Sequence, residues 1–321
     1  MKVLITGSAG FIGYHLSKKL LDKNIEVIGI DNINNYYDPK VKVKRNLLLK
    51  TYSSYKFYKL DINKFKNLEK IFKKYKFQTV IHLAAQAGVR YSITNPFAYI
   101  KSNLDGFYNI LHLSKKYKVK HLIYASSSSV YGDQKKQPIS TNANTNNPQS
   151  LYAATKKSNE ILVESYNQMY KLNATGLRFF TNYGNFGRPD MSIFKFTKNI
   201  LKSKKIELFN NGNHKRDFTH ISDSVEIIFR LIKKRLKTSN HKIFNIASGR
   251  KVDLKHVVKL IEKFTNHKAK VKNMGIQKGD VKETHANIKE TINLTKYQPQ
   301  KNIESGIKDF VNWYKKFAKD I

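Results

Sequence analysis

The chain has 321 residues, enough to bury a large core in one domain or two interleaved ones, and its 40% apolar content is that of a soluble globule. It has no cysteine, which excludes disulfides and thiolate metal sites, and no apolar run approaches the length of a membrane span. The formal net charge of +37 has two readings: an anionic partner such as nucleic acid or a membrane surface, or a composition biased to lysine, asparagine and tyrosine.

The lysines are scattered over helix after helix, and aromatics do not interleave with them as a stacking platform would require, so neither a nucleic acid nor a membrane is expected as partner. The N-terminus begins a strand at once. It shows no signal-peptide pattern, and a cytoplasmic location is expected. Strand-like runs at Val3–Thr6, Glu26–Ile30, Tyr55–Leu60, Thr79–Leu83, His121–Ala125 and Thr175–Phe179 alternate with helical patterns near Phe11–Leu21, Asn67–Tyr75, Pro96–Tyr117 and Leu151–Tyr170. That rhythm predicts an α/β fold: a Rossmann-type doubly wound parallel sheet with right-handed crossovers.

After Phe180 the rhythm breaks at the Gly- and Asn-rich stretch 181–190. A helix (Ser192–Lys202), short strands (Ile206–Phe209, Arg216–His220) and helices near Ser222–Lys234, Leu254–Phe264 and Glu304–Phe317 follow. The division expected is 1–180 for a dinucleotide domain and 181–321 for a smaller C-terminal α/β substrate-binding lobe. Segments in about 214–248, Lys242–Ala247 among them, return to the sheet. The polar loop 133–149 reads as a flap.

Gly7, Gly10 and Gly13 follow the first strand and open the first helix. Gly7 permits a tight turn, Gly10 lets backbone approach a pyrophosphate, and Gly13 allows close helix–strand packing. The helix N-terminus then faces the phosphates. Asp31 ends the second strand, where its carboxylate suits a ribose diol and repels a 2′-phosphate. Asn32 follows rather than arginine, which favours NAD over NADP. Asp61-Ile62 ends the third strand, and Leu83-Ala84-Ala85-Gln86 ends the fourth with small residues that let backbone lie close to a dinucleotide. Asn103 in the long helix reads equally as a surface residue or as a buried brace. Phe11, Ile12, Asn103 and Phe180 complete the expected cofactor contacts, together with Tyr152 and Lys156, whose ammonium can also hold the nicotinamide ribose.

Tyr152 and Lys156 are spaced i, i+4 on one helix and share a face. A nearby ammonium lowers a phenol's pKa, as does a positive nicotinamide, and a phenol poised near neutrality can take a hydroxyl proton while hydride leaves the same carbon. The run Ser126-Ser127-Ser128-Ser129 opens from a strand at the edge of the sheet where ligands bind. It offers hydroxyls to a sugar, and the lack of a carboxylate there argues against dehydration of a keto sugar.

These residues resemble the extended short-chain dehydrogenase/reductase family over nearly the whole chain. Within it the chain is most similar to the UDP-glucuronate 4-epimerases. The stretches that carry the likeness are 82–92 (His82 to Ser92), Asp31 to Asp38 with its paired tyrosines, Leu177 to Thr181, Gly187 to Met191 and Arg216 to Thr219. The resemblance implies a tightly held NAD that is reduced and reoxidised in each turnover. It implies 4-epimerisation of a nucleotide sugar through a transient 4-keto form, UDP-glucuronate to UDP-galacturonate, and a homodimer. Tyr152, Lys156 and Ser127 would be catalytic. Ser128, Ser129 and Thr181 would hold the sugar and its carboxylate, with Met191 beside them. Arg188, Arg216 and Asp280 would contact the nucleotide end, with Leu208 and Phe209 near the uracil. No metal is implied. Asn182, Asn185, Lys282, His285 and Asn287 depart from the family's pattern. They leave a 4-epimerase of neutral UDP-hexoses or N-acetylhexosamines as the alternative substrate class, and an NAD-sensing or RNA-binding protein as the alternative outside enzymes.

Overall fold

The structure is a computed structural model that describes residues 1–234, 240–276 and 281–317. Twelve strands are formed among these residues: β1 Lys2–Thr6, β2 Glu26–Asp31, β3 Tyr55–Lys59, β4 Thr79–His82, β5 His121–Ser127, β6 Ala174–Phe179, β7 Thr181–Tyr183, β8 Lys205–Phe209, β9 Lys215–His220, β10 His241–Ile246, β11 Lys251–Asp253 and β12 Lys270–Met274. Seven of them make one parallel sheet in the order β10-β6-β5-β4-β1-β2-β3. Its central strands are apolar runs buried on both faces, as in Val3, Leu4 and Ile5, so they must be covered by helices on each side.

One face carries helices Phe11–Leu21 and Ile221–Lys234, whose Leu16, Leu20, Ile228 and Leu231 meet Val3, Ile5 and Ile81. The other face carries helices Phe65–Tyr75, Gly106–Lys116 and Leu151–Tyr170, packed on Leu4, Ile28 and Val80. The strand order reverses between β1 and β4, and a crevice opens there at the carboxyl ends of the strands. Helices Ser192–Leu201, Leu254–Thr265 and Ile303–Phe317 gather a separate core around Phe194, Phe310 and Trp313, beside the pair β8–β12.

Three features differ from the sequence expectation. β9 does not enter the large sheet; it lies between β11 and β7 in a three-stranded sheet, so the return begins with helix Ile221–Lys234 and is completed by β10. A helix absent from the expectation, Pro39–Lys50, is capped by Asp38, whose side chain accepts from the Lys40 amide at 2.9 Å. The long helix at 96–117 holds a π segment, Ile100–Asp105, between α-helical turns Pro96–Tyr99 and Gly106–Lys116.

The polar loop 133–149 is anchored at its middle. Ile139 is buried, its amide donates to His285 O at 2.7 Å, and its carbonyl accepts from Asn245 Nδ2 at 2.9 Å. Arg178 Nη1 also donates to Thr141 O at 2.8 Å. An expected flap is thus pinned by a strand of the sheet, β10, and by the segment 285–287.

Candidate active site

The crevice continues into a cavity of about 1220 Å³ that runs from the glycine turn, past the serine loop, to the lobe. Its size exceeds that of a pocket for one drug-sized ligand, which suits a dinucleotide and a nucleotide sugar end to end.

At the inner end, Gly7 has φ +72 and its amide donates to Ile30 O at 2.7 Å, turning the chain sharply off β1. A Cβ on Gly7 would lie 2.8 Å from Ala84 N, and one on Gly13 would lie 2.0 Å from Gly7 O. The glycines are therefore needed by packing. The helix that starts at Phe11 has no side-chain cap, which leaves its first amides for a ligand.

Asp31 is buried beside this turn. Its carboxylate accepts from Ala9 N at 3.2 Å and Ile33 N at 2.8 Å. Burial raises its pKa, opposed by those amides and by the charges of Lys42 and Arg45. Asp61 accepts from Asn63 and from Asn32 Nδ2 at 3.3 Å. The cradle, the carboxylate at the end of β2 and the small residues Ala84 and Ala85 fit NAD, and Gly7, Gly10, Phe11, Ile12, Gly13, Asn32, Ile62, Leu83, Gln86 and Phe180 line the same cavity.

At the chemical end, Ser150 caps the helix that carries Tyr152 and Lys156 by accepting from Ala153 N at 3.1 Å. Ser127 ends β5 and turns the chain into a short 3-10 segment, its Oγ accepting from Ser129 N at 3.2 Å. Tyr152 and Ser127 line the same stretch of the cavity, and Ser127 Oγ also donates to Ser129 Oγ at 3.1 Å. Burial raises the phenol above its ordinary value, and the Ser127 hydroxyl and the Arg188 charge pull the other way. Lys156 Nζ donates to Ala125 O at 2.8 Å, and burial lowers its pKa to about 8 against the opposing charge of Glu160. Lys156 Nζ is turned to the β5 carbonyl, and the Arg188 charge contributes at the Tyr152 phenol.

Arg188, expected at the nucleotide end, lines the cavity, and its charge lowers the Tyr152 and Tyr99 phenols against their burial. It is held by Asp190, with Nε to Oδ1 at 3.0 Å and Nη2 to Oδ2 at 2.5 Å, while Tyr36 donates to the same carboxylate at 3.2 Å. Ser127, Ser128, Ser129, Thr181, Met191, Phe209 and Arg216 line the cavity with it. Arg90 lies over the Phe209 ring at 4.2 Å, across the mouth between sheet and lobe.

Asn103 and Leu208 do not line the cavity. Asn103 resolves to the brace: its Oδ1 accepts from Gln86 N at 2.8 Å and its Nδ2 donates to Gln86 O at 3.0 Å and Thr155 Oγ1 at 3.1 Å. Leu208 alternates inward from Phe209 and joins the lobe core. Asp280 lies outside the described residues.

Sequence reading missed Tyr36, Lys42, Arg45, Glu160 and Arg178. Glu160 follows Lys156 by four residues, a spacing that would have placed it on the same face. Its carboxylate accepts from Ser126 Oγ at 2.6 Å and from Arg178 Nε and Nη2, both at 2.8 Å, tying the serine loop to the helix of Tyr152.

A sequence model described as the NAD dependent epimerase/dehydratase family matches residues 3–247. Protein CapI of Staphylococcus aureus is 44% identical over 336 residues, 99% of this chain and 100% of that protein. UDP-glucuronate 4-epimerase 4 of Arabidopsis thaliana is 42% identical over 327 residues, 97% of this chain and 75% of that protein. The crystal structure of UDP-glucuronic acid 4-epimerase from Bacillus cereus, in complex with UDP-glucuronic acid and NAD, is similar with a TM-score of 0.93 at 30% identity, over 98% of this chain and 99% of that one.

Proposed function

The chain belongs to the NAD dependent epimerase/dehydratase family, and from that premise we propose that it interconverts UDP-glucuronate and UDP-galacturonate by inverting C4 of the sugar. The observation that carries the reading is one continuous cavity with a glycine cradle at one end and, at the other, Tyr152 and Ser127 beside a carboxylate-free serine loop and Arg188. Similarity to proteins named for this activity supports it.

Bound NAD supplies the acceptor for the C4 hydride, its return to the opposite face, and a positive ring charge that favours phenolate. Gly7, Gly10 and Gly13 hold its pyrophosphate and Asp31 its adenosine ribose. Tyr152 Oη takes the proton of the 4-hydroxyl and gives it back, and Ser127 Oγ, in the same cavity wall, offers a second hydrogen-bonding oxygen to that hydroxyl. Tyr152 is half-buried in the cavity wall, where a bound sugar would cover it from bulk water. Lys156, with a pKa of about 8, keeps its charge at neutral pH and steadies the β5 carbonyl next to the serines. Ser128, Ser129, Thr181 and Arg188 answer the sugar carboxylate. With no acid at positions 128 or 129, no residue of the loop is placed to assist elimination.

The protein acts as a homodimer. Phe97, Ile100 and Tyr108 on one side, and Ile161, Met169 and Tyr170 on the other, stand exposed on the helical stretches 96–117 and 151–170, Phe97 at 82%, and would supply the apolar face of the pairing.

The test is incubation of the purified protein with UDP-glucuronate, without added cofactor, followed by proton NMR. UDP-galacturonate without release of carbon dioxide is the expected result. A decarboxylated pentose product would refute the reading, and turnover confined to neutral UDP-hexoses would replace the substrate.

A further inference from the structure

Among the described residues the largest fully buried side chain is Arg45, on the helix Pro39–Lys50 and outside the reacting groups. A guanidinium at zero exposure needs its donors satisfied. Its five hydrogen bonds reach four oxygens. Nη1 donates to Ala9 O at 3.0 Å and to Tyr37 Oη at 2.9 Å; Nε donates to Phe186 O at 3.1 Å; and Nη2 donates to Phe186 O at 2.6 Å and Gly187 O at 3.1 Å.

The identity of these acceptors matters. Ala9 stands between Gly7 and Gly10 in the cradle. Phe186 and Gly187 immediately precede Arg188, whose charge acts on the Tyr152 phenol. Tyr37 adjoins Tyr36, which bonds the Asp190 carboxylate that holds Arg188. One planar fork therefore fixes two loops that the chain itself joins only through distant strands. Lysine, with a single nitrogen, cannot span them.

We propose that Arg45 is a positioning residue that couples the two halves of the cavity: dinucleotide seated in the glycine cradle orders the 186–188 backbone through Arg45, and so sets Arg188 for a sugar carboxylate. This rests on the function proposed above only for the identity of the sugar.

Amide hydrogen exchange tests it without any sugar present. Phe186 and Gly187 do not line the cavity, so NAD protects their amides only through a relay. In the wild type, added NAD is expected to slow exchange at both the 7–13 turn and the 184–188 loop. In Arg45→Lys the first protection is expected to persist and the second to vanish. A general rise in exchange with the NAD-dependent difference at 184–188 intact would overturn the proposal, since a merely structural arginine gives that pattern. Tyr37→Phe removes one acceptor and serves if Arg45→Lys does not fold; partial loss of the 184–188 protection is expected, and unchanged protection overturns the coupling. In a Tyr152→Phe background with NAD bound, Arg45→Lys is expected to weaken UDP-glucuronate about fivefold or more, the lower end of ordinary coupling between sites; an unchanged dissociation constant also overturns it. Should the wild-type chain not bind UDP-glucuronate at all, the function reading falls, while the exchange comparison still decides the coupling.

Discussion

Replacing Gly13 with alanine puts the cradle to its hardest test. An alanine Cβ there would lie 2.0 Å from Gly7 O and 2.8 Å from Gly7 C, where real Cβ contacts do not fall below 3.0 Å. The helix and the turn must therefore part by about 1 Å at that point, an overpacking that costs ~1–3 kcal/mol. A 1 Å misplacement of a binding element can cost on the order of 10²-fold in rate. The assay is the melting temperature together with the nucleotide retained through gel filtration and the dissociation constant for NAD by calorimetry. Gly275→Ala is the control, because nothing lies within 4 Å of its added carbon. The expected outcome is a lower melting temperature and weakened NAD binding for Gly13→Ala, and wild-type values for the control. Gly13→Ala with wild-type NAD affinity and stability would refute the account of the turn, because the contact it creates leaves no room for a neutral result.

Tyr152→Phe should retain NAD and lose ~10²–10⁴-fold in kcat, the usual share of proton transfer; single-turnover reduction of the bound cofactor reads it, and a near wild-type rate would move the base elsewhere. Asp31→Ala should weaken NAD and narrow its advantage over NADP, the more so because Lys42 remains beside the site; an unchanged ratio of the two dissociation constants would place discrimination elsewhere. Lys156 is depressed to about 8 from an ordinary 10.5, so between those values the unfolded chain binds the extra proton and this group's contribution to stability rises with pH. Glu160→Gln removes the charge that supports the ammonium, and the Lys156 ionisation in the pH profile of kcat should move below about 8; a fixed profile would show that Glu160 does not act on it. Ile161→Asp should shift the sedimentation coefficient from dimer to monomer at micromolar concentration, and an unchanged value would take this face out of the interface.

The parallel sheet was legible because its strands announce themselves as short apolar runs, and because glycines at 7, 10 and 13 have few uses other than a tight turn under a helix. Helix Pro39–Lys50 was not, since its buried face includes Lys42, Arg45 and Asn46 and so carries no apolar stripe. Its mark was the cap, Asp38 before Pro39. Strands β8 and β12 pair at the edge of the lobe with most of β12 exposed, which erases the alternation that identifies a strand. The Tyr152 and Lys156 spacing correctly gave a shared helix face. It could not give the direction of each side chain, and Lys156 turns toward β5 while Arg188, thirty-odd positions on, supplies the charge near the phenol. Arg188 was named from the sequence as a site residue, but its closeness to the phenol depends on a loop held by Arg45.

The last strand of the large sheet has a consequence for biosynthesis. β10 pairs along the whole of β6, yet the lobe strands β7, β8 and β9 and two helices are made between them. While the chain leaves the ribosome, β6, whose every residue is buried in the finished fold, is a margin with open amides and carbonyls, the kind of surface that recruits foreign strands. Its safety waits on the emergence of His241–Ile246. Chaperone demand and the solubility of prematurely terminated products should therefore be governed by that six-residue segment, far from anything that touches a sugar.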